Sequence, residues 1–158
     1  MSERPGAVHL AGAELGEWRH VCAFFHGLDD EYRTLMSYVT EGFDHGDRAF
    51  HIVDPALRGD HLARLAGAGV DVVGGEARGQ LEVRVWEQAY LRGGRFDQDA
   101  MLALIQEVLD AGHARGYPLT RLLAQMEWAL EDRPGVDDLV EYETRLNYVL
   151  PRYKDPVV

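Results

Sequence analysis

His20-Val-Cys-Ala-Phe-Phe25, closed by His26-Gly27 and followed at once by Leu28-Asp-Asp-Glu-Tyr-Arg-Thr34, is the stretch on which the fold turns. A short apolar and aromatic run that stops at a glycine suits a buried strand better than a helix. From Asp29 the period changes to 3.6. Tyr32, Leu35, Met36, Val39 and Phe43 share one stripe, and Asp29, Asp30 and Glu31 occupy the first turn, where the helix dipole favours acid. The helix ends near Gly42 to Gly46, and Arg48-Ala-Phe-His-Ile-Val53 reads as a second buried strand closing at Asp54-Pro55. The unit is βαβ.

Outward from it, a second amphipathic helix over about 55–68 turns Leu57, Leu62 and Leu65 inward, and Val70-Asp-Val-Val73 is expected as a minor strand. Leu81-Glu-Val-Arg-Val-Trp86 alternates strictly, so it is expected to be the least buried strand, half exposed or at an edge. Beyond Gly93-Gly94, Phe96 leads into a helix over 97–115 with Met101, Leu102, Ile105, Val108 and Leu109 on its stripe. Leu119 to Met126 reads as the last strand, although its apolar run could also open a helix, and 137–150 as the last helix, ended by Pro151. Strands alternating with helices predict an α/β fold: a three-layer sandwich, its sheet mainly parallel with helices on both faces.

The 158 residues suit one domain, here 18–151, between a flexible leader (1–17) and a short C-terminal tail (152–158). A net charge of −11 with no Lys or Arg run argues against direct binding of nucleic acid or an anionic membrane surface. Cys22 is the single cysteine, so no intrachain disulfide can form. With no signal-like leader and no apolar run of spanning length, a cytoplasmic location is expected.

His20 to Phe25, Glu41-Gly-Phe43 with Gly46-Asp-Arg48, Phe96-Asp97, Arg121 with Met126-Glu-Trp-Ala-Leu130, and Glu141-Tyr-Glu143 with Leu146-Asn147 together resemble the MEDS domain, the methanogen/methylotroph DcmR-type sensory domain, over roughly 18–150. The resemblance implies a RecA/KaiC-like fold without a phosphate loop. It also implies a sensory role for small hydrocarbon derivatives, usually beside a DNA-binding module or a histidine kinase. No such output module can be read here, so a signal would pass to a partner protein. The residues themselves argue against ATP: a phosphate loop needs several glycines and a Gly-Lys-Ser/Thr, whereas 26–34 offers one glycine, three consecutive carboxylates and no lysine.

In open α/β sheets ligands bind beyond the carboxyl ends of the strands. The candidates there are His26, Asp54, Trp86, Tyr90, Glu127 and Trp128, with Cys22 on the first strand. Cys22 shares strand parity with His20 and His26, which invites a metal or reactive-thiol reading, against Cys22 as a small core residue. The absence of CxxC and HExxH spacings leaves no metal or cofactor expected. Glu127 after an apolar run is expected in low-dielectric surroundings, with an Arg121 or Arg145 partner, or a solvated first-turn acid, as the alternatives. Trp86 and Trp128 serve as pocket walls or as core. Asp54 before Pro55 is a natural helix cap. Tyr90 could lie on a flap, and Glu143 and Asn147 share one helical face that meets a pocket only if Tyr142 also points inward.

The leading expectation is a non-catalytic domain that binds a small organic molecule, anchored by His26 and Glu127 between aromatic walls, and signals through a kinase or regulator. A homodimer is left open. The alternatives are a small enzyme using His26 and Glu127 as an acid-base pair, and a protein-interaction module of a signalling or transcription-regulation pathway.

Overall fold

The computed structural model describes residues 6–158. Residues 1–5 of the stretch read as a leader lie outside the described residues. The described elements run β1 (His9–Leu10), β2 (Ala13–Glu14), α1 (Leu28–Asp44), β3 (Arg48–Val53), α2 (Arg58–Gly67), α3 (Val72–Arg78), β4 (Leu81–Val85), α4 (Gln98–Ala114), β5 (Thr120–Ala124) and α5 (Leu139–Val149). β3, β4 and β5 form a parallel sheet ordered β4-β3-β5, with Phe50 facing Glu82 on one side and Leu122 on the other. The chain is thus mixed α/β, with five helices and a small three-stranded parallel sheet among the described residues.

Alternation along the strands separates two buried clusters. Phe50, Ile52 and Leu122 pack with Met101, Ile105 and Leu109 of α4 and Tyr142 and Leu146 of α5. Ala49, Val53 and Leu123 pack with Leu35, Tyr38 and Val39 of α1 and Leu65 of α2. Every residue of central β3 is buried, whereas β4, at the sheet edge, leaves Glu82, Arg84 and Val85 part-exposed, as its alternating sequence predicts.

Two expected strands do not form. His20 to Phe25 contributes one bridge, His20 to Val157, and Cys22, Ala23 and Phe24 are exposed. The place beside β5 is filled by the chain's last residues. Leu122 donates to the carbonyl of Pro156, Val158 to that of Leu122 and Ala124 to that of Val158, while Val157 and Val21 pair along the outer side. An apolar run reports strand propensity but not which segment wins the open edge. Val70 to Val73 is also not a strand. Asp71 accepts from Gly74 N at 3.0 Å and caps α3, which stops at left-handed Gly79.

Within the stretches read as leader and tail, Ala7, Val8 and Leu10 are buried, His9 N donates to Glu41 at 3.0 Å, and the Asp155 carboxylate accepts from Thr120 N at 2.6 Å. The tie beneath them is Arg121. Its side chain is 2% exposed and reaches Asp47 at 2.8 Å, Glu41 at 2.6 Å and the Tyr38 carbonyl at 2.9 Å. Gly42 makes room for it, since a Cβ there would lie 2.6 Å from Arg121 Cδ.

On the α1–α2 face a polar chain crosses the core: the Tyr32 hydroxyl bonds His61 Nδ1 at 2.5 Å, and His61 Nε2 bonds His51 Nδ1 at 2.8 Å. Burial pushes the His61 pKa down to about 4 and holds His51 well below its ordinary value, with the neighbouring imidazole adding to the effect on His51.

Two outcomes are expected. Arg121→Met leaves buried Asp47 without its cation, and part-buried Glu41 with His9 but without the guanidinium, and should cost about 3–5 kcal/mol in urea unfolding, partly restored by adding Asp47→Asn. A loss below about 1 kcal/mol would show that the carboxylates find water instead. The buried imidazoles bind protons less readily than in the unfolded chain, so stability should rise with pH between about 4 and 6.5, each imidazole adding at most about 1.4 kcal/mol per pH unit. The slope of the urea midpoint over that window should flatten in His61→Gln, and an unchanged slope would contradict the assignment.

Candidate functional site

The sequence-predicted residues divide between two neighbourhoods. At the carboxyl ends of β3 and β5, Gln125 is the organiser. Its backbone N donates to the Ile52 carbonyl at 2.9 Å, and its side-chain oxygen accepts from Asp54 N at 3.0 Å. Its amide nitrogen donates to Glu31 at 3.2 Å, and its carbonyl accepts from Trp86 Nε1 at 2.9 Å. Asp54 caps the short turn Pro55–Leu57 through Ala56 N at 2.8 Å, the bland role its sequence allowed. Trp86 is 4% exposed and belongs to the core rather than to an open pocket wall.

Glu127, expected in low-dielectric surroundings, is exposed at the start of the Glu127–Leu130 turn. Neither alternative partner joins it: Arg121 holds Asp47 and Glu41, and Arg145 reaches Asp99 and Gln98. The carboxyl beside Gln125 that burial perturbs is Glu31. Desolvation raises its pKa, the Gln125 amide opposes this, and the Glu127 charge adds to the rise. His26 is exposed as well, its backbone N donating to Asp30 at 3.2 Å. No hydrogen bond or ion pair joins His26 to Glu127 among the described residues. A small cavity of about 10 Å³ lies beside Glu31, lined also by Tyr32, His61 and Leu123, with room for about one water.

The second neighbourhood is aromatic. Tyr90, Phe96, Trp128 and Tyr142 are each at most 5% exposed. Trp128 lies 5.0 Å from Tyr90 and 5.2 Å from Phe96 between ring centroids, and Tyr142 stands edge-on to Phe96 at 5.3 Å. Tyr90 is thus a core residue and not part of a flap. Two polar heads in this cluster are buried: among the described residues Trp128 Nε1 has no hydrogen-bond partner, and the Tyr142 hydroxyl makes no hydrogen bond of ordinary geometry, with only the Tyr90 hydroxyl close enough to interact with it. Burial raises the Tyr90 pKa, and Glu143 and Cys22 add to the rise, which places those two groups close to its hydroxyl.

Over this cluster lie His20, Cys22 and Glu143, whose ligand-type atoms all fall within 4.8 Å of one another. His20 Nε2 is 3.0 Å from a Glu143 carboxylate oxygen, and His20 Nδ1 is 3.0 Å from the Asn147 side-chain oxygen. Glu143 is the main cause of a raised His20 pKa, against burial. Burial first, and Glu143 second, raise the Cys22 pKa. The thiol is exposed rather than core, yet it stays protonated at neutral pH and is not an activated nucleophile. Parity correctly joined Cys22 to His20. Their partner is Glu143 rather than His26, because the chain leaves its extended path before His26. The i, i+4 pair Glu143 and Asn147 was the available signal, and Tyr142, fully buried, does turn that face inward.

No described helix is long and apolar enough to cross a membrane. No curated protein and no solved structure shows a match to the chain. The family model described as the methanogen/methylotroph, DcmR sensory domain matches residues 19–156, nearly the whole chain and including every residue of both neighbourhoods, and the chain therefore belongs to the MEDS family of sensory domains.

Proposed function

We propose that this sensory domain binds a small, uncharged organic molecule of the hydrocarbon-derivative type at the aromatic cluster of Tyr90, Phe96, Trp128 and Tyr142, beneath Cys22. The observation that carries the reading is the buried, unpartnered Trp128 Nε1 amid apolar rings, beside a Tyr142 hydroxyl that has only a poorly aligned Tyr90 neighbour. Most buried polar groups have a partner, and one left without it costs about 1–3 kcal/mol. A ligand carrying one or two acceptor atoms on an apolar frame would satisfy both heads and keep the ring contacts. In this reading a ligand enters past Cys22, which lies near the Tyr90 hydroxyl at the start of residues 22–27. That segment has no regular secondary structure, and Phe24 within it is 96% exposed.

In this reading the signal is the state of that segment. Ligand entry orders it, and a partner protein, a kinase or regulator, reads Phe24 and its neighbours. We also read the architecture as a RecA/KaiC-like three-layer arrangement. Supporting this are the two buried clusters on the two sides of β3 and the position of α1, which starts where a phosphate loop would end but opens with Asp29, Asp30 and Glu31.

A panel of one-carbon and short-chain alcohols, ethers, amides and halides, screened by thermal unfolding, tests the proposal. A compound at about 100 times its Kd should stabilise by about 2.7 kcal/mol, a rise of roughly 5–10 °C in Tm for a chain of this size. Trp128→Phe and Tyr142→Phe should each remove much of that rise, and amide exchange of residues 22–27 should slow on binding. The proposal fails if no compound raises Tm, or if both variants respond as the wild type does.

A further inference from the structure

We infer that His20, Cys22 and Glu143 form a mononuclear site for a divalent first-row transition metal, with Zn(II) as the best-matched ion. The inference is independent of the organic-ligand reading and rests on the convergence of three side chains of different chemistry.

An extended chain points residues two apart to one side, which brings His20 Nε2 and Cys22 Sγ together where the His20–Val157 bridge holds the segment straight. α5 supplies the third group and its support, because Glu143 and Asn147 stand one helical turn apart. The Asn147 side-chain oxygen can only accept, so the His20 nitrogen facing it, Nδ1, carries the proton. This leaves Nε2 as the nitrogen facing Glu143, the arrangement in which a second-shell oxygen fixes the ring and tautomer of a metal-binding histidine. The Glu143 oxygen nearest Nε2 is buried and lies 3.0 Å from that nitrogen, and it is the main cause of the raised His20 pKa, so the two atoms share a proton. A divalent cation that takes that proton's place would be held by both atoms.

The distances suit one. Nitrogen and oxygen ligands at 2.0–2.1 Å from a tetrahedral zinc lie about 3.3 Å apart, and a thiolate sulfur at 2.3 Å lies about 3.6 Å from either. The N–O pair needs a few tenths of an ångström, and exposed Cys22 can rotate to close the remainder. Nitrogen, sulfur and oxygen donors together favour Zn(II) over Mg(II) or Ca(II), which take oxygen ligands alone. Three protein ligands leave a fourth position open to solvent. On binding, the proton between His20 Nε2 and Glu143 and the Cys22 thiol proton both pass to solvent, and the sulfur joins as thiolate.

Titration of the full chain with Co(II), followed by displacement with Zn(II), tests the site directly. The expected result is a thiolate-to-cobalt charge-transfer band in the near ultraviolet, with the intense visible bands of a tetrahedral ion, both abolished by Zn(II). Cys22→Ser should lose the charge-transfer band. Because Cys22 is exposed, this variant should keep its far-ultraviolet circular dichroism. Glu143→Gln should weaken Zn(II) binding at least tenfold. Asn147→Ala should weaken it about tenfold while keeping the band, which separates a positioning role from a ligating one. A titration without a charge-transfer band, or Zn(II) binding unchanged in Cys22→Ser, overturns the inference. No organic compound enters the experiment, so its failure leaves the ligand reading standing, and failure of the ligand screen leaves the metal site standing.

Discussion

The guanidinium of Arg121 sits where four parts of the chain meet. β5 carries it, α1 offers the Glu41 carboxylate and the Tyr38 carbonyl, the turn before β3 offers Asp47, and the N-terminal segment offers the Ala7 carbonyl at 3.4 Å. A buried guanidinium is tolerated only when its donors are matched by fixed acceptors. Each acceptor is therefore held in place by the same demand. Glu41 also receives His9 N, so the small hairpin of β1 and β2 is tied through α1 to the sheet. The Arg121 ring of contacts replaces much of the cohesion that a wider sheet would provide.

The two faces of the sheet follow different chemical rules. The α4–α5 face is packed with rings and aliphatic groups, and its poorly matched polar heads stand out for that reason. The α1–α2 face admits Tyr32, His61 and His51 as a hydrogen-bonded chain and keeps both imidazoles neutral. Gln125 stands between these regimes. Its side chain serves Asp54 and Glu31, while its carbonyl holds the Trp86 indole. A single amide thus couples the carboxyl ends of the strands to the edge of the aromatic cluster.

Much of this was legible in the residues. The periodicity of α1, α4 and α5, the continuous run of β3 and the alternation of β4 each report how one element meets its own surroundings, and the structure places those elements within two residues of the expected bounds. The family was legible as well, because its motifs are local. What the residues could not report was competition between distant segments. His20 to Phe25 has the composition of a strand, but Pro156 to Val158 occupies the edge beside β5. The same blindness affected the site. Cys22, Tyr90 and Trp128 do converge, but around Glu143 and Tyr142, contributed from far along the chain. His26 and Glu127, chosen for their places at strand ends, are exposed on separate turns. Glu31, hidden in an acidic run that looked like a dipole-matched first turn, is the carboxyl beside Gln125 whose pKa burial raises.

The outer rung of the ladder joins residues 19–21 to 156–158, and the contact from His20 to Asn147 spans 127 residues. Such closure comes late in folding, since the entropy of bringing distant segments together must be met before their contacts form. Among the described residues only two backbone hydrogen bonds hold it, from Val157 N to the Arg19 carbonyl and from Val21 N to the Val157 carbonyl, so it opens more readily than the ladders of β3 with β4 and β5. Fraying there would scatter His20 and Cys22 from Glu143 and uncover the rings beneath, while β3, β4 and β5 stay paired. The chain thus keeps its one thiol on a lightly held seam, where a local opening exposes the rings without the domain unfolding.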